Sequence, residues 1–164
     1  MFKRRDRDQE SQDTPSLPEG AAVLRDELGI FPLWYLEMRL REELARAART
    51  NGIFSLACWH LKLLPGERPS DDLLKQAADF IMESLRTYDI LARIDEYRFA
   101  ALLLDAQYEA ASTVAFRIKG DLQVRVHSAG RWQAGVAAFP RDAVDADGLI
   151  QASIRRLGDD ARAA

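Results

Sequence analysis

The sequence is poor in the features that mark secreted, metal-binding or membrane proteins. Cys58 is the only cysteine among 164 residues, which excludes a disulfide framework and a cysteine-rich zinc site. No apolar run approaches the roughly 20 residues that a membrane-spanning helix needs. The N-terminus also lacks the apolar segment of a signal peptide. We therefore expect a cytoplasmic protein with no membrane span.

Positive charge is not in excess either. The chain carries 23 lysines and arginines against 26 acidic residues, a net charge of -3. Nucleic-acid binding depends on neutralising phosphates with a basic surface, so this balance argues against a nucleic-acid partner. His60 and His127 lie far apart in the sequence, and no metal-ligand pattern surrounds them. We expect no metal and no resident cofactor.

What is present is the composition of an ordinary globular domain, with 48% apolar and 30% charged residues. Residues 1–20 mix acidic and basic side chains and offer almost nothing to bury, so we predict a disordered tail. The apolar density rises from Ala21. The sequence thus predicts one domain over residues 21–158, followed by a polar tail over 159–164.

The most informative stretch covers residues 86–104. Two apolar runs, 90–94 and 99–104, flank four polar residues, which is the pattern of a β-hairpin with an exposed turn. Helical spacing of apolar residues, capping residues and runs of alternating or continuous apolar residues predict the other elements. The predicted elements are a helix from Leu33 that is closed by Asn51-Gly52, a strand over 53–62, a helix from the cap Ser70 to about Arg86, a helix from the cap Asp105 to Gly120, strands over 122–127 and 131–140, and a helix over 149–157.

The hairpin resembles the GGDEF family of diguanylate cyclases. In that family a strand ending in Ala-Arg-(apolar) leads into Gly-Gly-(Asp or Glu)-Glu-Phe and a second apolar strand. Here Ala-Arg-Ile at 92–94 precedes Asp95-Glu96-Tyr97-Arg98-Phe99, so only the phenylalanine of the signature remains. Other matches lie near the start of the domain and in a late strand: Asp26, Leu28, Pro32, Gly135, Val136, Ala137 and Pro140. The resemblance spans about residues 26–157. It implies an α/β (α+β) fold with a mostly antiparallel central sheet flanked by helices.

Measured against the family pattern, the catalytic positions are replaced. Asp95 and Glu96 stand where two glycines let the backbone approach a triphosphate, and they add negative charge there. His60 and Lys62 take the positions of the family's metal-binding Asp-x-Asp. The loop over 63–70 is too short for the family's guanine-recognition segment. The resemblance therefore implies no catalytic residues and no enzyme. A cyclase with a rebuilt site that uses Asp95 and Glu96 is the alternative from the enzyme class.

The segment before the hairpin resembles the family's inhibitory site, an Arg-x-x-Asp that binds cyclic di-GMP. Arg86 and Asp89 match it at the family's distance from the signature, and Arg117 matches an arginine in an Ala-x-Arg-Ile context on the next helix. An arginine fork can hold a phosphate or a guanine Hoogsteen edge, and a carboxylate can accept from guanine N1 and N2. The other interpretation of Arg86 and Asp89 is a surface ion pair at a helix end.

These patterns predict a non-catalytic cyclic di-GMP receptor with Arg86, Asp89 and Arg117 as its ligand-binding residues. Because the family's site often takes ligand that bridges two domains, we expect signalling through self-association or another signalling protein. The competing hypothesis is a ligand-independent protein–protein interaction module built on an inactive cyclase fold.

Overall fold

The computed structural model describes residues 24–126 and 130–159. The predicted tail over 1–20, His127 and nearly all of the predicted tail over 159–164 lie outside the described residues. Five strands and four helices follow in the order β1 (Phe31–Pro32), α1 (Leu33–Thr50), β2 (Phe54–Leu63), α2 (Asp71–Ser84), β3 (Ile90–Arg93), β4 (Arg98–Leu104), α3 (Tyr108–Arg125), β5 (Gly130–Phe139) and α4 (Ala146–Arg155).

The strands form one sheet in the order β1-β3-β4-β2-β5. Only the short β1–β3 pair is parallel, and the three other pairs are antiparallel. The β3–β4 hairpin pairs Ile90 with Leu102 and Arg93 with Phe99. The mostly antiparallel sheet and the central hairpin are therefore confirmed.

Helices cover both faces of this sheet, and each face has its own apolar core. Side chains of α2 and α3 pack on one face against Ala57, Trp59 and Leu61 of β2. Side chains of α1 and α4 pack on the other face against Phe54 and Leu56. The alternation along β2 follows from the strand geometry, which turns successive side chains to opposite faces. The Trp59 indole N–H also donates to the Ala115 carbonyl at 3.0 Å, which ties β2 to α3.

The predicted strand over 122–127 is wrong, because α3 continues through Gly120 to Arg125. The helix buries Ala111, Ala115, Ile118 and Leu122 at helical spacing, whereas Val124 is 74% exposed. A glycine inside a helix costs only about 1 kcal/mol relative to alanine, which tertiary packing of the buried stripe offsets. The alternation of Leu122, Val124 and Val126 is therefore compatible with a strand, but packing of the helical stripe against the sheet determines the structure.

The predicted helix cap at Asp105 is also wrong. Asp105 has a left-handed backbone with φ of 52°, and α3 begins after Gln107, which makes no side-chain cap. The Asp105 carboxylate instead lies 3.4 Å from the Arg46 guanidinium. The predicted cap at Ser70 is confirmed, since its hydroxyl accepts from the Leu73 N–H at 3.2 Å.

Candidate functional site

The loop between α2 and β3 carries the Arg-x-x-Asp residues and is held by reciprocal hydrogen bonds. The Asp89 N–H donates to the Arg86 carbonyl, and the Arg86 N–H donates to Asp89 Oδ2, both at 3.0 Å. Asp89 Oδ1 also accepts from the Leu104 N–H at the end of β4, at 3.4 Å. The carboxylate thus fixes the shape of the loop and joins it to the sheet.

The environment of Asp89 shifts its proton affinity. Burial of the half-buried carboxyl raises its pKa, while the two backbone N–H donors and the charge of Arg86 act in the opposite direction. Burial has the largest effect because water solvates a carboxylate better than the apolar surroundings do. Asp89 therefore offers a poorly hydrated acceptor for a ligand that donates hydrogen bonds.

The Arg86 side chain is exposed and does not form an ion pair with Asp89, which was the alternative interpretation of these two residues. Its guanidinium donates to the Tyr88 hydroxyl at 3.0 Å and lies 5.8 Å from the centre of that ring. Among the described residues, no ion pair involves Arg86. Tyr88, which our sequence reading passed over, is 53% exposed and positions the guanidinium toward solvent. Its place between the two motif residues is the signal that could have identified it.

The structure brings the three predicted ligand-binding residues to one cavity. We call it the ligand cavity: a space of about 270 Å³ between the α2–β3 loop and α3, lined by Arg86, Asp89 and Arg117. Arg117 lies on the exposed side of α3, beside Val114 and away from the buried stripe, as the helical spacing predicted. Two positive side chains and one carboxylate therefore line a partly apolar space.

The hairpin turn, where the resemblance places the signature, is occupied by internal contacts. The Ile94 N–H donates to the Arg98 carbonyl at 2.9 Å and closes the turn. Asp95 accepts from the Tyr97 N–H at 3.1 Å through one oxygen and from the Arg98 guanidinium at 2.6 Å through the other. The carboxylate of Asp95 is thus already paired within the turn.

Arg93, on the strand before the turn, connects this turn to the start of the domain. Its guanidinium donates to the carbonyls of Asp95 and Glu96, each at 3.1 Å. It also pairs with Glu27 at 2.5 Å and lies 3.7 Å from Asp26. The pKa of Glu27 is lowered, first by a hydrogen bond from its own backbone N–H and then by the hydrogen bond and the charge of Arg93. The two long-range contacts from Arg93 to Glu27 and Asp26 therefore hold the turn, and no local pattern of residues predicts them.

His60 and Lys62 lie on β2 beside the turn, with His60 directly opposite Arg98 of β4. Half-burial lowers the pKa of His60, and its Nδ1 lies 3.2 Å from the Gln133 amide oxygen. Lys62 is exposed. Within the described part of the chain, no group of three or more histidine, cysteine or acidic side chains is arranged to hold a metal ion. Over the same residues, no helix is long and apolar enough to cross a membrane.

The sheet with helices on both faces defines an α/β domain of the nucleotide-cyclase type. The family model "Diguanylate cyclase, GGDEF domain" matches residues 34–158. The chain therefore belongs to the GGDEF family. A comparison with curated proteins gives no match.

Solved structures of GGDEF proteins share the fold. The GGDEF domain of FimX from Pseudomonas aeruginosa aligns with a TM-score of 0.72 at 23% identity, over 85% of this chain and 94% of that one. The GGDEF domain of DgcB from Caulobacter crescentus, in complex with c-di-GMP, aligns with a TM-score of 0.72 at 14% identity, over 87% of this chain and 92% of that one. The diguanylate cyclase SiaD from Pseudomonas aeruginosa, in complex with its activator SiaC, aligns with a TM-score of 0.71 at 24% identity, over 87% of this chain and 60% of that one.

Proposed function

We propose that this GGDEF domain is a non-catalytic receptor for cyclic di-GMP that acts in the cytoplasm. The observation that carries the proposal is the ligand cavity, which Arg86, Asp89 and Arg117 line together although they come from two separate elements. An arrangement of two guanidinium groups and one carboxylate suits a ligand that has both phosphates and guanine edges.

The roles of the three residues follow from their chemistry. Arg86 and Arg117 are the donors for a phosphate or for guanine O6 and N7, and Asp89 accepts from guanine N1 and N2. The cavity of about 270 Å³ lies just below the usual range for small-molecule sites. It therefore suits one guanine base, with the rest of the dinucleotide lying over the exposed Arg86 and Arg117.

The non-catalytic part of the proposal is supported by the turn. Asp95 is paired with Arg98, and Arg93 binds the turn's own carbonyls. Lys62 adds positive charge on β2, the strand next to β4, and this charge would repel a magnesium ion. A GTP–magnesium complex would have to break several of these contacts before it could bind there.

Two relatives illustrate the signalling that we propose. The DgcB domain is in complex with c-di-GMP, and SiaD is in complex with an activator protein. We infer that ligand bound over Arg86 and Arg117 extends beyond the cavity and offers a surface to a second copy of this domain or to another signalling protein.

A second candidate function is a ligand-independent interaction module. One observation favours it: both oxygens of Asp89 accept backbone N–H groups. The Asp89 carboxylate therefore has a role in folding that needs no ligand.

Two assays on the purified full-length chain separate these functions. The receptor predicts saturable binding of cyclic di-GMP and no formation of cyclic di-GMP during incubation with GTP and magnesium. Turnover of GTP would contradict the non-catalytic proposal and favour the rebuilt cyclase. Absence of both binding and turnover would contradict the receptor and leave the interaction module.

A further inference from the structure

A second concave surface lies on the other side of the α2–β3 loop. We call it the arginine groove: a space of about 700 Å³ whose charged lining consists of three arginines, Arg25, Arg39 and Arg86, and two acidic residues, Glu83 and Asp89. Residues of α1 line this groove, whereas residues of α3 line the ligand cavity. Because α1 and α3 pack on opposite faces of the sheet, the two sites are distinct. The residues that line both are Leu85, Arg86, Asp89 and Leu104.

Two arginines of the groove are held in place without a carboxylate partner. Arg25 donates to the Gly29 carbonyl at 2.8 Å, and its guanidinium lies 4.4 Å from the centre of the Phe31 ring. Arg86 is held in a similar way by Tyr88. Within residues 24–126 and 130–159, neither has an acidic side chain within ion-pair distance. The three arginines outnumber the two acidic side chains of the lining, and both oxygens of Asp89 already accept backbone N–H groups. The charges of Arg25 and Arg86 are therefore available to an anionic partner.

Arg39 adds an unsatisfied donor. Its terminal nitrogen lies 3.2 Å from Glu42, but its Nε is buried and has no hydrogen-bond acceptor. A buried donor without an acceptor is unfavourable, so an acceptor that reached Arg39 Nε from the groove would stabilise the complex.

The uncharged lining of the groove is apolar and aromatic. Phe31 and Tyr35 stack with their ring centres 4.1 Å apart, and Met82 is 40% exposed. Arginine, tyrosine and methionine are enriched at protein–protein interfaces. This combination of charge and apolar surface is typical of a site that binds a peptide.

We propose that the arginine groove binds an acidic segment of a partner protein. Separate carboxylates of that segment pair with Arg25, Arg39 and Arg86, and apolar side chains between them contact Phe31, Tyr35 and Met82. Several carboxylates fit better than one phosphate because Arg25 and Arg86 are each held by their own aromatic ring.

This proposal does not rest on cyclic di-GMP binding. Arg25 and Arg39 line the groove but not the ligand cavity. Substitutions at these two positions therefore test the groove alone, and Arg86, which lines both sites, is left unchanged.

The test uses a fluorescein-labelled synthetic peptide that alternates glutamate with leucine and phenylalanine, titrated with the full-length chain in a fluorescence anisotropy assay. We expect saturable binding that weakens with salt, and about tenfold weaker binding for Arg25→Gln and for Arg39→Gln, equivalent to about 1.4 kcal/mol each. The matched control is Arg41→Gln, an exposed position on the same helix and outside the groove. We expect it to change affinity by less than about twofold, because exposed charges contribute little.

Several results would overturn the proposal. They are the absence of saturable binding, equal binding of the peptide with glutamine in place of glutamate, or the same loss in Arg41→Gln as in Arg39→Gln. Displacement of the labelled peptide by GTP with the same dependence on Arg25 and Arg39 would assign the groove to a nucleotide instead. A parallel titration with cyclic di-GMP distinguishes the two sites, since Arg39→Gln should leave that affinity unchanged even where peptide binding is lost.

Discussion

Asp89 combines a folding role and a proposed ligand-binding role in one carboxyl group. Its two oxygens accept N–H groups from Arg86 and Leu104, and burial raises its pKa above the ordinary value of 3.8. Only the ionised form accepts from both guanine donors. The raised pKa therefore brings the loss of that form closer to neutral pH.

The affinity for cyclic di-GMP should depend on pH through Asp89. We expect the affinity of the wild-type chain to fall as the pH is lowered from neutral through the raised pKa of Asp89, toward the ordinary value of 3.8. Asp89→Asn should bind more weakly at neutral pH and show a flatter profile, measured by calorimetry at successive pH values. Arg86→Ala, which retains the carboxyl, is the control and should keep the pH dependence. An equally steep profile in Asp89→Asn would contradict this assignment, provided that circular dichroism shows both variants folded.

Substitution of two glycines, Gly135 and Gly120, by alanine should have opposite effects on the stability of the fold. A Cβ at Gly135 would lie 2.2 Å from the Ser153 carbonyl oxygen, whereas a Cβ at Gly120 would meet nothing within 4 Å. Gly135→Ala should lower the free energy of unfolding by about 1–3 kcal/mol, because backbone must move to relieve the overlap. Gly120→Ala should raise it by about 0.5–1 kcal/mol, because alanine is the better helix former. Urea denaturation measures both. Destabilisation by Gly120→Ala would contradict the continuous α3.

At the level of the elements, Asp142 and Arg156 join the end of β5 to the end of α4. Asp142 is 7% exposed, pairs with Arg156 at 2.6 Å and accepts from the Ala138 N–H at 2.8 Å. Arg156 also donates to the Val136 carbonyl at 2.6 Å. The charge-assisted bond from Arg156 is the largest cause of the lowered pKa of Asp142. This pair secures the helix that packs against Gly135.

Removing the negative charge of Asp142 should destabilise the fold, and the size of this effect should depend on pH. Asp142→Asn keeps the shape of the side chain but loses its charge, and it should lower the free energy of unfolding by about 1.5–3 kcal/mol at neutral pH. Because the folded pKa is lowered, the stabilisation is present above the ordinary value of 3.8 and is lost as the pH falls through the folded pKa. The difference between wild type and variant should therefore shrink in acid. Urea denaturation of Asp145→Asn, which keeps a capping oxygen at the start of α4, is the control. A difference that stays constant into acid would contradict the charge account.

Local sequence signals predicted some elements and failed for others. The hairpin could be predicted because its two apolar runs and polar turn lie side by side in the sequence, and α2 because Ser70 caps it locally. The end of α3 could not be predicted from the sequence, because two patterns overlap there. Leu122, Val124 and Val126 alternate as the residues of a strand do, but Leu122 also continues the buried stripe of the helix. Packing against the sheet decided between the two patterns.

At the scale of the whole molecule, family membership and fold could be predicted from the sequence, because the hairpin and the late strand resemble those of the family, and the family model matches residues 34–158. The sequence also predicted Arg86, Asp89 and Arg117, which the structure places around one cavity. Tyr88 as the partner of Arg86, the link from Arg93 to Glu27 and the arginine groove were not predicted. Each of these depends on tertiary contacts or on side-chain orientation that no local pattern encodes.

The central claim is that Arg86, Asp89 and Arg117 bind cyclic di-GMP as one site. The most direct measurement is a calorimetric titration of cyclic di-GMP into the wild-type chain, Arg86→Ala and Arg117→Ala, with Arg49→Ala, an exposed arginine in the last turn of α1, as the matched control. Arg86→Ala retains the backbone N–H that holds Asp89, so the loop should stay intact. We predict low-micromolar or tighter binding that each site variant weakens by about tenfold or more, about 1.4 kcal/mol, while Arg49→Ala binds as wild type does. No saturable heat with the wild-type chain, or equal affinities for all four proteins, would contradict the account.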